Sequence, residues 1–223
     1  MPLLAGARLV AVDTETTGFD PSAGHQLIEV ACVPITDGAL GPASECWSSL
    51  VRPSRPIPAE ASRIHGITDA LVAAAPGPAD IAAELLRACG DAPLVFHNAR
   101  FDLPFLAVLL RAGGYPPLSN PIIDTLGLAR GILSENENSL GALAKRLKLP
   151  PETAHRAAGD ALTTARLLLH LAQRWEDERG VHSIAELAAV SQDVERRTRR
   201  GPDRIGRDPF RGERAAEPAA TPR

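Results

Sequence analysis

Aromatic residues are scarce: Phe, Trp and Tyr together make up 4% of the chain. Aliphatic packing must therefore dominate any core. Hydrophobic residues still reach 44% of the 223 residues, enough for one domain with a substantial interior and a tail. Cysteine is scarcer still. Cys32, Cys46 and Cys89 are odd in number and widely spaced, with no C-x-x-C pair. That argues against a disulfide framework or a cysteine-bound zinc, and for reduced, mostly buried thiols in a cytoplasmic protein. No run of eighteen apolar residues occurs, so no membrane span is expected. Residues 1–8 lack a charged segment leading into a long apolar one, and so make a poor signal peptide. An excess of positive charge is also missing, since the formal net charge is -3. This excludes a protein that coats nucleic acid by charge alone. It does not exclude one whose carboxylates hold cations, because such a cluster is most acidic when empty.

What is present alternates between strand and helix patterns. Residues 8–12 form a short apolar run ending at Asp13. Residues 26–35 are rich in Ile, Val and Leu and stop at Asp37-Gly38, a hairpin signal. A third strand is expected over 46–51, and short ones over 93–96 and 121–124. Helical spacing predicts helices over 58–65, 79–89, 101–112, 126–133, 139–147 and 158–175. Ser139 is placed to cap the helix it opens. Three strands followed by alternating helix and strand predict an α/β fold, a mixed sheet flanked by helices. Composition shifts near residue 191. The expected division is a domain over 1–190 and an Arg/Pro/Gly-rich tail over 191–223. A helix from Ile184 is expected to run into Arg196-Arg197, with disorder beyond Gly201, where too little apolar surface offsets the cost of ordering.

Three segments carry chemistry. In the first, the apolar strand leads into Asp13-Thr14-Glu15-Thr16-Thr17-Gly18. Residues i and i+2 of a strand share a face, so Asp13 and Glu15 converge. Such a pair would raise one another's pKa unless a divalent cation lay between them. Taken singly, D-x-E is also the ordinary composition of a solvated strand end. In the second, His97-Asn98-Ala99-Arg100-Phe101-Asp102 turns a strand into a helix, and Asp102 alone reads as a helix cap. In the third, His155 precedes Asp160 by five residues, and Asp160 falls in the first turn of a long amphipathic helix. Its ordinary role there would be to complement the helix dipole.

Together the three segments resemble the DEDD 3′→5′ exonucleases of the ribonuclease T and DNA polymerase III epsilon type. Asp13, Glu15, Asp102 and Asp160 match the four family acids in order, and His155 matches the histidine subclass. The resemblance runs from about Arg8 to Gln173 and includes Ile64-His65-Gly66-Ile67 and Ile123-Asp124-Thr125. One departure is Ala31, which stands where the family has a glycine.

The resemblance implies a ribonuclease H-like fold, a mixed five-stranded sheet with helices on both sides. It implies hydrolysis assisted by two divalent cations, Mg²⁺ or Mn²⁺. Asp13 would bridge them, Glu15 and Asp160 would complete one shell, and Asp102 would act on the other mainly through water. His155 would be the general base. Thr16, Glu60, His65 and Asn98 are implied substrate contacts, although His65 equally suits a helix C-terminus. Phe101 is assigned to the core, and Asp124 to capping the helix after it. The implied partner is nucleic acid with a free 3′ end, with DNA favoured over RNA and a replicative polymerase as a candidate partner protein. A binding protein that merely kept the fold would have no need of four converging acids. Residues 205–210 read as a disordered linker in preference to a binding motif.

Overall fold

The computed structural model describes residues 2–133 and 137–199. Two long strands form its centre, β1 (Arg8–Thr16) and β2 (Leu27–Thr36), paired antiparallel. β1 runs on past Val12, where its apolar run ends, to Thr16. The reason is the ladder: β2 continues to pair Asp13 with Ala31, Thr14 with Val30 and Glu15 with Glu29. Backbone bonds hold this polar stretch extended, and β-branched threonines suit it.

Two further strands, β3 (Ala39–Leu40) and β4 (Trp47–Leu50), lie along the outer side of β2. On the other side, β5 (Leu94–Phe96) and β6 (Ile122–Asp124) extend the sheet parallel to β1. Among the described residues the sheet has six strands rather than five, because β3 completes the hairpin at Asp37-Gly38. Both turn residues have positive φ, 52° and 71°, which the Asp-Gly pair tolerates.

Helices cover both faces. They are α1 (Ala59–His65), α2 (Asp69–Val72), α3 (Pro78–Cys89), α4 (Ala99–Ala112), α5 (Thr125–Ile132), α6 (Leu140–Arg146), α7 (Ala157–Arg179) and α8 (Ile184–Arg199). Of these, α2 is too short for periodicity to reveal, and is capped by Thr68. Ser139 caps α6 by accepting from the Ala142 N–H. The alternation of β1 divides the core. Leu9 and Ala11 pack with Ala161, Ala165 and Leu168 of α7, while Val10 and Val12 pack with Leu85 of α3 and Phe105 and Leu106 of α4. Phe101 is half-buried, its ring 5.5 Å from that of Phe105.

α8 continues through the expected boundary at 190/191. Ser191 is fully buried, donates to the Ala188 carbonyl at 2.7 Å and accepts from the Asp124 N–H at 3.1 Å. Its carbonyl lies against Gly127, where a Cβ would come within 1.8 Å, so only glycine permits this approach of α5 and α8. The segments expected to be disordered, 201–223 with 205–210, lie outside the described residues. Cys32 and Cys89 are buried, Cys46 is exposed, and all three are free thiols. Among the described residues, no helix is long and apolar enough to cross a membrane.

Candidate active site

The parallel strands β1, β5 and β6 end on one edge of the sheet, the usual place for a ligand in an α/β fold. Asp13 and Glu15 leave β1 on the face covered by α7. Asp160 arrives there from the first turn of α7. One carboxylate oxygen from each of the three lies within 4.8 Å of the others. Asp102 comes from the first turn of α4 and is buried. Thr14, between the two β1 acids and pointing to the opposite face, donates its hydroxyl to Asp102 Oδ1 at 2.7 Å.

Crowding and burial make these carboxyls weak acids. Burial pushes Asp13 well up, and the charges of Asp102, Asp160 and Glu15 push it further. Glu15 rises to about 8, first by burial, then by Asp160, Glu29 and Asp102, with Arg156 pulling the other way. Asp102 rises to about 7 by burial, opposed by the Thr14 hydroxyl. Burial also raises Asp160, against the pull of the His155 N–H. Four carboxyls that resist ionising side by side, all offering oxygen, fit a divalent cation.

His155 stands in the turn that leads into α7. Its backbone is left-handed, with φ 56°, and its N–H donates to Asp160 Oδ2 at 3.0 Å. Its side chain is exposed. Gly159 permits this turn to lie on the helix, since a Cβ there would sit 2.1 Å from the Thr153 carbonyl.

The implied substrate contacts are placed less uniformly. His65 is buried at the end of α1. Its Nδ1 accepts from the Ile67 N–H at 3.0 Å, which puts the proton on the buried Nε2, on the side of the Thr16 backbone. Burial lowers its pKa, so it is poorly suited to carrying a charge for the helix dipole. Thr16 spends its hydroxyl on the Gly18 carbonyl at 2.6 Å. Asn98 holds a left-handed backbone, φ 75°, at the start of α4. Glu60 faces solvent, paired with Arg63 at 3.3 Å. Asp124 is a structural hub. It caps α5 through the Leu126 N–H at 2.9 Å, and accepts from the N–H groups of Asn98 and Ala99 at 2.9 and 3.1 Å.

Three residues at this site escape a motif search: Thr14, Glu29 and Arg156. Glu29 is buried on β2 directly across from Glu15, and Arg156 grips it with Nη2–Oε1 at 2.6 Å and Nε–Oε2 at 3.0 Å. The available signal was a lone carboxylate inside the apolar run Leu27-Ile28-Glu29-Val30, which a buried strand tolerates only with a partner.

Fold and site define a class, an α/β nuclease-type sheet with carboxylates gathered at its strand ends. Residues 10–168 match the exonuclease model of the ribonuclease T type, and the chain belongs to that family. It is 41% identical over 167 residues to a DNA polymerase III subunit epsilon-like protein of Rhodobacter capsulatus, covering 73% of this chain and 23% of the relative. To the DNA polymerase III subunit epsilon of Rickettsia typhi it is 36% identical over 171 residues, 74% of this chain and 72% of that protein. Among solved structures, exonuclease X in complex with 5′ overhanging duplex DNA is similar at TM-score 0.64 and 31% identity, covering 82% of this chain and 99% of the other. E. coli exonuclease I in complex with a dA16 oligonucleotide shares the fold at TM-score 0.67 and 20% identity, over 75% of this chain and 41% of the other.

Proposed function

We propose that this chain is a 3′→5′ exonuclease that removes nucleotides from the end of a DNA strand with the help of two divalent cations, Mg²⁺ or Mn²⁺. The observation that carries this is the convergence of Asp13, Glu15 and Asp160 within 4.8 Å on an exonuclease-family fold. Those three carboxylates and Asp102 would hold the cations. Bound there, the cations would supply charge stabilisation for the attacking and leaving oxygens of the phosphodiester.

The chain's own residues do the rest. His155, exposed beside Asp160, takes the proton of the attacking water. Asp13 and Glu15 hold their geometry because a β ladder fixes them, and Asp102 holds its own through Thr14. The protonated Nε2 of His65 is proposed as a donor to the terminal nucleotide, and Thr16, Asn98 and Glu60 as further substrate contacts. DNA is favoured over RNA because the similar proteins include DNA polymerase III epsilon subunits and an exonuclease crystallised with duplex DNA. A replicative polymerase is the corresponding partner, and the catalytic domain is proposed over residues 1–190 together with the part of α8 that packs on it through Ser191.

The test is degradation of 5′-labelled single-stranded DNA, mismatched duplex DNA and RNA with Mg²⁺, Mn²⁺ or EDTA. Stepwise shortening of DNA from the 3′ end, abolished by EDTA, is expected. Faster shortening of RNA would transfer the substrate class, and full activity in EDTA or on circular strands would overturn the mechanism.

A further inference from the structure

We propose that Glu29 and Arg156 form a clasp whose task is to position His155, making both of them positioning residues for the reaction. The inference rests on the activity proposed above. Among the described residues no hydrogen bond holds the exposed imidazole of His155, so its position must follow from its backbone. That backbone is left-handed, a conformation a non-glycine residue keeps only when its surroundings impose it.

The surroundings pin three consecutive residues. The His155 N–H is held by Asp160 Oδ2 at 3.0 Å. The Arg156 guanidinium is held by both oxygens of Glu29, and the Ala157 N–H by Glu29 Oε2 at 3.0 Å. α7 begins at Ala157, and Arg156 in the capping position provides no side-chain cap. Glu29 supplies that cap from β2, satisfying one of the donors a helix start leaves open and placing a negative charge where the helix dipole favours it. Because Glu29 stands opposite Glu15 in the β1–β2 ladder, the clasp ties the His155 turn to the same ladder that carries Asp13 and Glu15. The base and the carboxylates are thereby referenced to one rigid element. With both oxygens engaged, Glu29 is a fifth acid at the site that is committed to the turn and not to a cation. The fork geometry also explains the residue type: lysine could match the charge but not both bonds.

The experiment compares Arg156→Gln, Arg156→Lys and Glu29→Gln, each alone and combined with His155→Ala, in the full chain with Mn²⁺ and 5′-labelled single-stranded DNA. Arg156→Gln and Glu29→Gln are expected to lower kcat about 10- to 100-fold, the scale of a small misplacement of a reacting group. KM and the Mn²⁺ concentration for half-activation should hold. Arg156→Lys should recover part of the loss. In the His155→Ala background the same substitutions should cost nothing more, because the residue they position is gone. The His155 ring resonances, read by NMR without metal, should shift in Arg156→Gln and Glu29→Gln.

An equal fractional loss with and without His155, or a loss that tracks weakened Mn²⁺ activation, would overturn the clasp as a positioning device. An inactive wild type would instead overturn the exonuclease reading. In that case unchanged His155 resonances in the variants would still overturn the clasp. If Arg156→Gln fails to fold, Arg156→Lys and Glu29→Gln decide the question alone.

Discussion

Thr14 reaches across from β1 to α4 and donates its hydroxyl to Asp102 at 2.7 Å. One strand thus presents Asp13 and Glu15 on one face and the support for the fourth acid on the other. The hydroxyl opposes the burial that raises Asp102 to about 7. Thr14→Val removes that donor, so Asp102 should hold its proton more tightly. Since a cation must displace the proton, Mn²⁺ affinity measured calorimetrically should fall most at pH 7 and below, with the deficit narrowing at higher pH. An unchanged affinity across pH 6–8 would mean that Thr14 is a packing residue only.

The metal-free protein should gain stability as pH falls from 8.5 to 6.5. Glu15, at about 8, and Asp102, at about 7, both lie above their unfolded values, and Asp13 and Asp160 are shifted the same way. Between the unfolded and folded pKa values the folded state therefore binds more protons than the unfolded one. Stability is then fully present below the unfolded values and is lost as pH rises through the folded ones, about 7 to 8. Thermal melts in EDTA should show Tm rising from pH 8.5 to pH 6.5, above the range in which His97, lowered to about 4 by burial, opposes the trend. Saturating Mg²⁺ or Mn²⁺ should flatten the profile, and a Tm that rises with pH in EDTA would contradict it.

Asp13→Asn and Asp160→Asn should separate the acids from ordinary caps. Removing one of several repelling charges should leave the metal-free Tm steady or higher. The stabilisation by added Mn²⁺ should shrink, since a ligand of the folded state stabilises by mass action. Activity should collapse. If the aspartates only capped their elements, each change would cost a few tenths to ~1 kcal/mol and leave catalysis alone.

His155→Ala is expected to slow single-turnover cleavage by ~10²–10⁴, the usual contribution of a general base. Metal and DNA binding should change far less, because His155 contacts Asp160 only through its backbone N–H. Rates close to wild type across neutral pH would remove it from that role.

Asp124→Ala should destabilise the fold although Asp124 lies outside the acid cluster. It leaves the N–H groups of Asn98, Ala99 and Leu126 without their acceptor, that of Ala99 buried and the other two half-buried. The loss should be on the order of 3 kcal/mol in chemical denaturation, about 1 kcal/mol for each stranded donor, the low end of the range because two of the three keep access to water. Asp124→Asn keeps one acceptor oxygen and should cost less.

Local periodicity was enough to place Asp13 and Glu15 on one face, because a strand's side chains alternate whatever lies around them. It also set Asp160 in the first turn of α7, put Asp124 at the start of α5 and made Asp37-Gly38 a hairpin. The resemblance to a family added which acids belong together. What no local pattern could supply was the length of β1, since hydrogen bonds from β2 keep residues 13–16 extended after the apolar run has ended. Nor could it supply Thr14 on Asp102, 88 residues away, or Arg156 on Glu29, 127 away. Residue type and near-neighbour spacing belong to the chain, and they were enough to set out the chemistry on offer. Which buried charge meets which partner was settled by the fold, because it depends on how the strands register and how α7 and α4 lie against them.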